Sequence, residues 1–224
     1  MAKTAIVFGG TGLTGRYLVT QLLADLRYDK VKVISRRSLG LDDPKLEEYI
    51  TDLLNKEIWT DLVTGDDVFC CIGTTKKKTP DKDHYYKIDF GIPKNAASAG
   101  KNNGVQKFAV VSAIGANSKS SIFYNKLKGE MEEAVKSMGP SAVYIMRPSI
   151  IDGPRGESRL LEKIGLGIFK LLGFMFVGSF RKYRLIHARD IAKAMIEAVN
   201  SESTGGTFES DEVQELANNA KSNN

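Results

Sequence analysis

Compact apolar runs alternate with stretches of helical spacing along this chain. Residues 5–8, 31–35, 67–73, 107–112 and 142–148 read as strands, the first a short buried run and 67–73 apolar on both faces, which suits the centre of a parallel sheet. Residues 46–51 predict a further strand, of poor β-propensity. Residues 17–23, 55–64, 84–102 and 124–137 space their apolar side chains three and four apart, which predicts helices. Pro93 lies inside the third of these, where it weakens or kinks the helix. Strand and helix thus alternate from residue 4 to 148, and the expected fold is α/β, an open doubly wound parallel sheet.

The pattern changes after residue 150. Residues 164–180 are strongly apolar but hold Lys170 in their middle, which falls short of a membrane span. A packed helix with an apolar loop over the ligand side of the sheet is expected there, and a weak contact with a membrane surface is the alternative. Residues 186–200 predict an amphipathic helix, 205–209 a short strand, and the tail after Gln214 is expected to fray. The expected organisation is one domain over 1–224, with residues 150–200 contributing a small C-terminal lobe.

Composition narrows this little. Hydrophobic residues at 42% and charged residues at 26% are ordinary for a soluble globular protein. The net charge of +5 is mild and dispersed, apart from the run Lys76, Lys77 and Lys78, so no nucleic-acid partner is predicted. No metal site is predicted. The two cysteines, Cys70 and Cys71, are adjacent in a strand and cannot readily bridge, which implies a reducing compartment and inert thiols. The N-terminal residues run directly into the first strand, leaving no room for a signal peptide, and a cytoplasmic location is expected.

Candidate chemistry starts at the first turn. Gly9, Gly10, Gly12 and Gly15 follow the first strand and open the first helix, the context in which such spacing cradles a dinucleotide. Glycine allows a sharp turn and lets a pyrophosphate reach backbone N–H groups at a helix N-terminus. The frame also fits a P-loop, but Arg16 and Tyr17 stand where Lys and Ser or Thr are required. The second strand ends in Ser35, Arg36 and Arg37 with no acidic residue, which favours the 2′-phosphate of NADP(H) over the free ribose of NAD(H). Tyr124 and Lys128 lie four apart on one helix, a pair suited to acid–base work on an alcohol or carbonyl. An ammonium about 4 Å from a phenol is worth about 4 kcal/mol at an effective dielectric near 20. That nearly matches the roughly 3 pKa units a Tyr must move to work near neutral pH. Ser112, at the end of the preceding strand, is placed to hydrogen-bond the substrate oxygen. A second Tyr-x-x-x-Lys, Tyr28 and Lys32, straddles a turn into the second strand and lies away from the expected cofactor.

The glycine turn, strand-end serine and Tyr-x-x-x-Lys, in this order, resemble the atypical NAD(P)-binding branch of the short-chain dehydrogenase/reductase superfamily. More closely, residues 67–75, with Cys-Cys-Ile-Gly-Thr-Thr, and residues 124–132 resemble the family of the HIV Tat-interacting protein of 30 kDa and its bacterial and fungal relatives. The resemblance implies a Rossmann fold that binds NADPH, with phosphate contacts at Gly9, Thr11, Gly12, Leu13, Thr14 and Gly15 and 2′-phosphate contacts at Arg36 and Arg37, beside Ser35. It implies adenine near Asp52 and Leu53, and ribose and nicotinamide near Cys71, Gly73, Thr74, Ser112, Tyr124 and Lys128. The resulting expectation is an NADPH-dependent oxidoreductase acting on a small apolar carbonyl or alcohol. Tyr124 is its proton donor, Lys128 the partner of Tyr124 and clamp of the ribose, and Ser112 the oxyanion-side donor. A non-catalytic NADPH sensor or scaffold is the alternative. A sugar-nucleotide epimerase shares the triad but usually needs a longer C-terminal lobe.

Overall fold

The computed structural model describes residues 2–153 and 178–219. Strand β1 (Lys3–Phe8) leads through the glycine turn into α1 (Leu13–Ala24), followed by β2 (Tyr28–Ser35) and β3 (Leu46–Ile50). The chain then returns through β4 (Asp67–Cys70), β5 (Lys107–Val111) and β6 (Ala142–Arg147). With β9 (Gly205–Glu209) they form a seven-stranded sheet of order β3-β2-β1-β4-β5-β6-β9, every neighbouring pair parallel. Between β1 and β4 the order reverses direction, and ligands bind in such sheets at the carboxyl ends beside that reversal.

Alternation along each strand supplies one core on each face of the sheet. Ala5, Val7, Val33, Phe69 and Met146 pack on one side against α1 and α5 (Ala188–Asn200), through Leu18, Leu22, Ile191 and Met195. Ile6, Phe8, Val68, Phe108 and Ile145 pack on the other against α3 (Ile92–Asn102) and α4 (Phe123–Met138), through Ala96, Met131 and Val135. Trp59 closes this second core edge-on to Phe8, with ring centroids 5.0 Å apart, and donates its indole N–H to Leu53 O at 3.2 Å. At the amino end of the sheet, buried Asp67 accepts from Tyr28 Oη at 2.7 Å and Lys3 Nζ at 3.2 Å, while Asn200 donates to Tyr28 Oη at 2.9 Å. This cluster ties β1, β2, β4 and α5 together and accounts for the second Tyr-x-x-x-Lys. Tyr28 is structural, and Lys32 donates outward to Thr64.

Several elements differ from the sequence pattern. Residues 55–64 make two 3-10 turns (Lys56–Ile58 and Thr60–Leu62) rather than one helix. The helix expected over 84–102 begins earlier, as α2 (Lys82–Tyr86) capped by Asp81, and passes through a π turn (Lys87–Gly91) into α3. Ile92 N–H donates to Lys87 O, five residues back. That widened turn admits Pro93, whose ring would clash with the carbonyl four residues earlier in a regular helix. The tail does not fray at Gln214: α6 (Ser210–Asn219) buries Val213 and Ala217 against the first core. Of the expected lobe over 150–200, residues 188–200 belong to the main helical layer as α5. A two-stranded pair, β7 (Ile151–Asp152) with β8 (Ile186–His187), lies beyond β6. The cap expected over 164–180 lies outside the described residues except for 178–180, which begin a 3-10 turn (Gly178–Tyr183). Among the described residues no helix is long and apolar enough to cross a membrane.

The β1–α1 junction has almost no free space. A Cβ on Gly15 would stand 2.0 Å from Gly9 O, and one on Gly9 2.7 Å from the Cys71 carbonyl carbon. Gly15→Ala is therefore expected to destabilise the protein by about 3 kcal/mol or more, at or above the usual cost of overpacking, since only backbone could yield. Gly91→Ala, with open space and helical dihedrals, is expected to be neutral or stabilising by up to about 1 kcal/mol. Urea-unfolding midpoints check both, and a Gly15→Ala midpoint equal to wild type would contradict the packing argument.

Candidate active site

The glycine turn presents backbone donors. Gly9 adopts φ +82° and accepts from Gly12 N–H at 3.0 Å, which folds the turn back onto β1. Gly12 caps α1 with extended dihedrals, no side chain caps the helix, and its first turn holds no acidic residue. The N–H groups of Leu13, Thr14 and Gly15 therefore begin a 12-residue helix with its positive end unneutralised. Gly9, Gly10 and Gly15 are required by protein packing, since a Cβ on Gly10 would also meet Val33 Cγ1 at 2.8 Å. Gly73 is different. A Cβ there would lie at ordinary contact, 3.7 Å from Asp89 Oδ2, so the protein itself leaves room beside it. Together the uncapped helix end and the space at Gly73 fit a dinucleotide laid across the β1–β4 reversal.

At the end of β2, Ser35 is buried and donates to Arg37 O at 2.6 Å, which turns the next residues outward. Arg36 and Arg37 are exposed, and neither pairs with a carboxylate among the described residues. The nearby Glu48 is committed to Ser38 Oγ at 2.7 Å and Leu39 N–H at 2.6 Å. Asp52 accepts from Leu54 N–H at 3.0 Å, and Leu53 is buried beside Trp59. Cys71 follows β4 and donates N–H to Phe8 O, with Sγ 3.8 Å from Met195 Sδ. Burial pushes the Cys70 thiol up to about 12 and raises that of Cys71 as well. Both are free thiols without nucleophilic character at neutral pH.

Tyr124 and Lys128 both lie on α4, one helical turn apart. Tyr124, in the first turn of α4, is 39% exposed, and its hydroxyl has no hydrogen-bond partner among the described residues. Lys128, one turn later, is buried and lies 3.2 Å from Asp89 Oδ2. Asp89 Oδ1 accepts from Thr74 N–H at 2.7 Å, so a single carboxylate joins the turn after β4, the π turn and α4. Burial alone would lower the Lys128 pKa, but Asp89 and then Tyr124 outweigh it and the pKa is raised. The ammonium persists through the physiological range. Because Asp89 sits against it, the pair acts on the cavity as a dipole, with shorter reach than the isolated ammonium of the sequence argument. Asp89 was not among the candidate residues. Its signal was a carboxylate on the apolar face of a helix, between Ile88 and Ile92, where a charge needs a partner.

Ser112 is placed differently from the sequence expectation. It is buried, and its hydroxyl donates to Glu132 Oε1 at 2.5 Å. Glu132 in turn holds Arg147 through Nε at 2.9 Å and a terminal nitrogen at 2.6 Å, and Arg147 reaches Glu209 Oε1 at 3.0 Å. A hydroxyl has one proton to give, and here it goes to Glu132, not toward Tyr124. The sequence expectation did not include this bond to Glu132. The segment after β5 rests directly on α4, because Gly129 has no Cβ and one there would stand 2.1 Å from Ser118 N. Asn117 N–H donates to Asn125 O at 2.9 Å across the same contact. One helical stripe, Tyr124, Lys128 and Glu132, thus carries a free phenol, a paired ammonium and a buried carboxylate.

A cavity of about 760 Å³ opens beside Tyr124, lined by Thr74–Lys77, Thr79–Pro80, Lys82, Tyr85, Ile122 and Phe123. Its size is that of a small-molecule site. Thr74 belongs both to this wall and to the Asp89 contact, so the cavity adjoins the buried pair.

Comparison with known proteins agrees with this geometry. The NAD(P)H-binding family matches residues 9–202. Protein fmp52, mitochondrial, of Aspergillus niger is 31% identical over 219 residues, covering 92% of each chain. Protein fmp52-1, mitochondrial, of Aspergillus terreus is 35% identical over 206 residues, covering 88% of this chain and 87% of its own. Among solved structures, the Bordetella bronchiseptica enzyme WbmH in complex with NAD+ superposes with TM-score 0.70 at 18% identity, covering 97% of this chain and 80% of that one. These names overturn the cytoplasmic expectation, since the fungal relatives are named mitochondrial. Unbridged cysteines separate oxidising from reducing surroundings and do not distinguish one reducing compartment from another. Matched along most of its length, the chain belongs to the NAD(P)H-binding family.

Proposed function

We propose that this protein is an NADPH-dependent oxidoreductase that interconverts a carbonyl compound and its alcohol, working in mitochondria as the names of its relatives indicate. The observation that carries the reading is the free Tyr124 hydroxyl at the cavity, one turn from a Lys128 held charged by Asp89. The α1 N-terminus would hold the pyrophosphate, Arg36 and Arg37 the 2′-phosphate, and Gly73 and Thr74 would flank the nicotinamide riboside. Asp52 and Leu53 would border the adenine. A bound reduced nicotinamide supplies the hydride for the carbonyl carbon. Tyr124 gives its phenolic proton to the carbonyl oxygen and regains one from solvent. Lys128 steadies the phenolate and would hold the ribose, and Asp89 positions Lys128. Ser112 is read as a positioning residue that orients Glu132 beneath α4. The likeness to the family of the HIV Tat-interacting protein rests on residues 67–75 and 124–132 and belongs to the same proposal.

One observation favours a second reading, a non-catalytic NADPH sensor: the Ser112 proton is committed to Glu132, which leaves Tyr124 without a second donor from that residue. A panel of aldehydes and ketones scored by loss of NADPH absorbance separates the two. Intact NADPH binding with no turnover of any member selects the sensor.

Tyr124→Phe is expected to lower turnover by about 10²-fold or more, the usual range for a general acid, while NADPH affinity stays within twofold of wild type, on the order of experimental error. Wild-type turnover in this variant would remove Tyr124 from the mechanism. Asp89→Asn leaves the buried Lys128 unpaired and is expected to destabilise the protein by about 3–5 kcal/mol, read from its unfolding midpoint. For cofactor choice, about ten- to hundredfold preference for NADPH over NADH is expected, the worth of one charge-assisted contact. It should vanish in Arg36→Ala/Arg37→Ala. Equal affinities in the wild type, or a preference that survives the double substitution, would contradict the assignment.

A further inference from the structure

The cavity beside Tyr124 is two-sided. Its apolar wall is the start of α4, where Ile122, Phe123 and Tyr124 are 61%, 38% and 39% exposed on three successive positions. Phe123 is fixed edge-on against Tyr85 at 5.8 Å, and Tyr85 Oη donates to Thr74 O at 3.1 Å, so this wall is braced rather than loose. The segment after β4, which also lines the cavity, folds on itself. Lys78 N–H and Thr79 N–H both donate to Thr75 O, at 2.9 and 2.8 Å, and the Thr74 and Thr79 hydroxyls meet at 2.9 Å. The turn displays Lys76 and Lys77 toward the cavity, and Lys82 joins them from α2, its ammonium 5.6 Å from the centre of the Phe123 ring.

No carboxylate lines this cavity among the described residues. Asp81 is adjacent in sequence but its side chain caps α2, accepting from His84 N–H at 2.7 Å. Lys76, Lys77 and Lys82 have no acidic partner among the described residues. Three lysines lining one cavity with no carboxylate among its described lining residues give it a positive potential, which favours a bound anion. Exposed apolar side chains beside them favour a carbon chain.

We propose that this cavity takes an amphipathic anion: the substrate is an aldehyde or ketone whose carbon chain lies on Ile122 and Phe123 and whose anionic head group is held by Lys76, Lys77 and Lys82. The proposal rests on the oxidoreductase reading, since Tyr124 supplies the reacting end, and it replaces the wholly apolar substrate expected from the sequence. The head group sets register by placing the carbonyl at the Tyr124 hydroxyl. Carboxylate and phosphate share the required chemistry.

The test uses unreactive probes. Decanoate, decyl phosphate and decan-1-ol are titrated calorimetrically into the NADP+-loaded protein, below their aggregation concentrations, at about 0.05 M and about 0.15 M salt. At least one of the two anions is expected to bind about tenfold tighter than the alcohol, with the advantage shrinking at the higher salt. Lys76→Glu/Lys77→Glu is expected to abolish the advantage while NADP+ affinity is unchanged. Lys82→Glu provides an independent second variant with the same expected loss. Equal affinity for the anions and the alcohol overturns the proposal, as does an advantage that survives both charge reversals. A wild type that binds no NADP(H) overturns the oxidoreductase reading and this inference with it. NADP+ binding without anion preference overturns this inference alone.

Discussion

The Asp89–Lys128 ion pair decides the shape of the site. Both groups are buried, and a buried charge is tolerated only when paired and hydrogen-bonded. The requirement pulls three separately folded pieces to one point: the turn after β4 through Thr74, the π turn through Asp89, and α4 through Lys128. Once α4 is held there, Tyr124 has one place to be, a turn nearer the helix start and at the cavity. The same pairing sets the electrostatics. It keeps Lys128 charged, and it confines that charge, so that only a group in near contact with the ammonium feels its full effect.

The other buried charges divide between the two ends of the sheet. At the amino end, Asp67 gathers Lys3, Tyr28 and, through Tyr28, Asn200. At the carboxyl end, Glu132 gathers Ser112 and Arg147, and Arg147 extends the network to Glu209 on the edge strand. This second network joins α4 to β5, β6 and β9 beneath the site. It stiffens the floor on which Tyr124 and Lys128 stand, and the Ser112 hydroxyl is bonded within it.

Close backbone approach is the third constraint. Gly15 lets α1 start against Gly9, and Gly129 lets the segment after β5 lie on α4. In each case the missing Cβ brings a loop within contact of a helix and aims that helix end at the crevice. Gly73 differs because the protein leaves space beside it. Its value lies in what can approach from outside.

The sequence by itself determined the layered parallel sheet, the glycine turn and the Tyr124–Lys128 spacing, because each is a local pattern: consecutive apolar positions, a short glycine spacing, and one helical turn. It also carried the Arg36–Arg37 tip, which needs only the end of a strand to be placed. Tertiary structure alone decided the rest. Asp89 and Lys128 are 39 positions apart, and no local rule pairs them. Ser112 stood at the right strand end, but the direction of its hydroxyl depended on Glu132 arriving from a helix that had yet to pack. The π turn required balancing Pro93 against a continuous apolar face, a contest that spacing states but does not resolve. Lys76 and Lys77 lie more than forty positions before Ile122 and Phe123, and only the fold brings them to one cavity. Apolar periodicity reports which side of an element is covered, whereas the pairing of buried charges and the walls of a cavity depend on where separate elements meet in space.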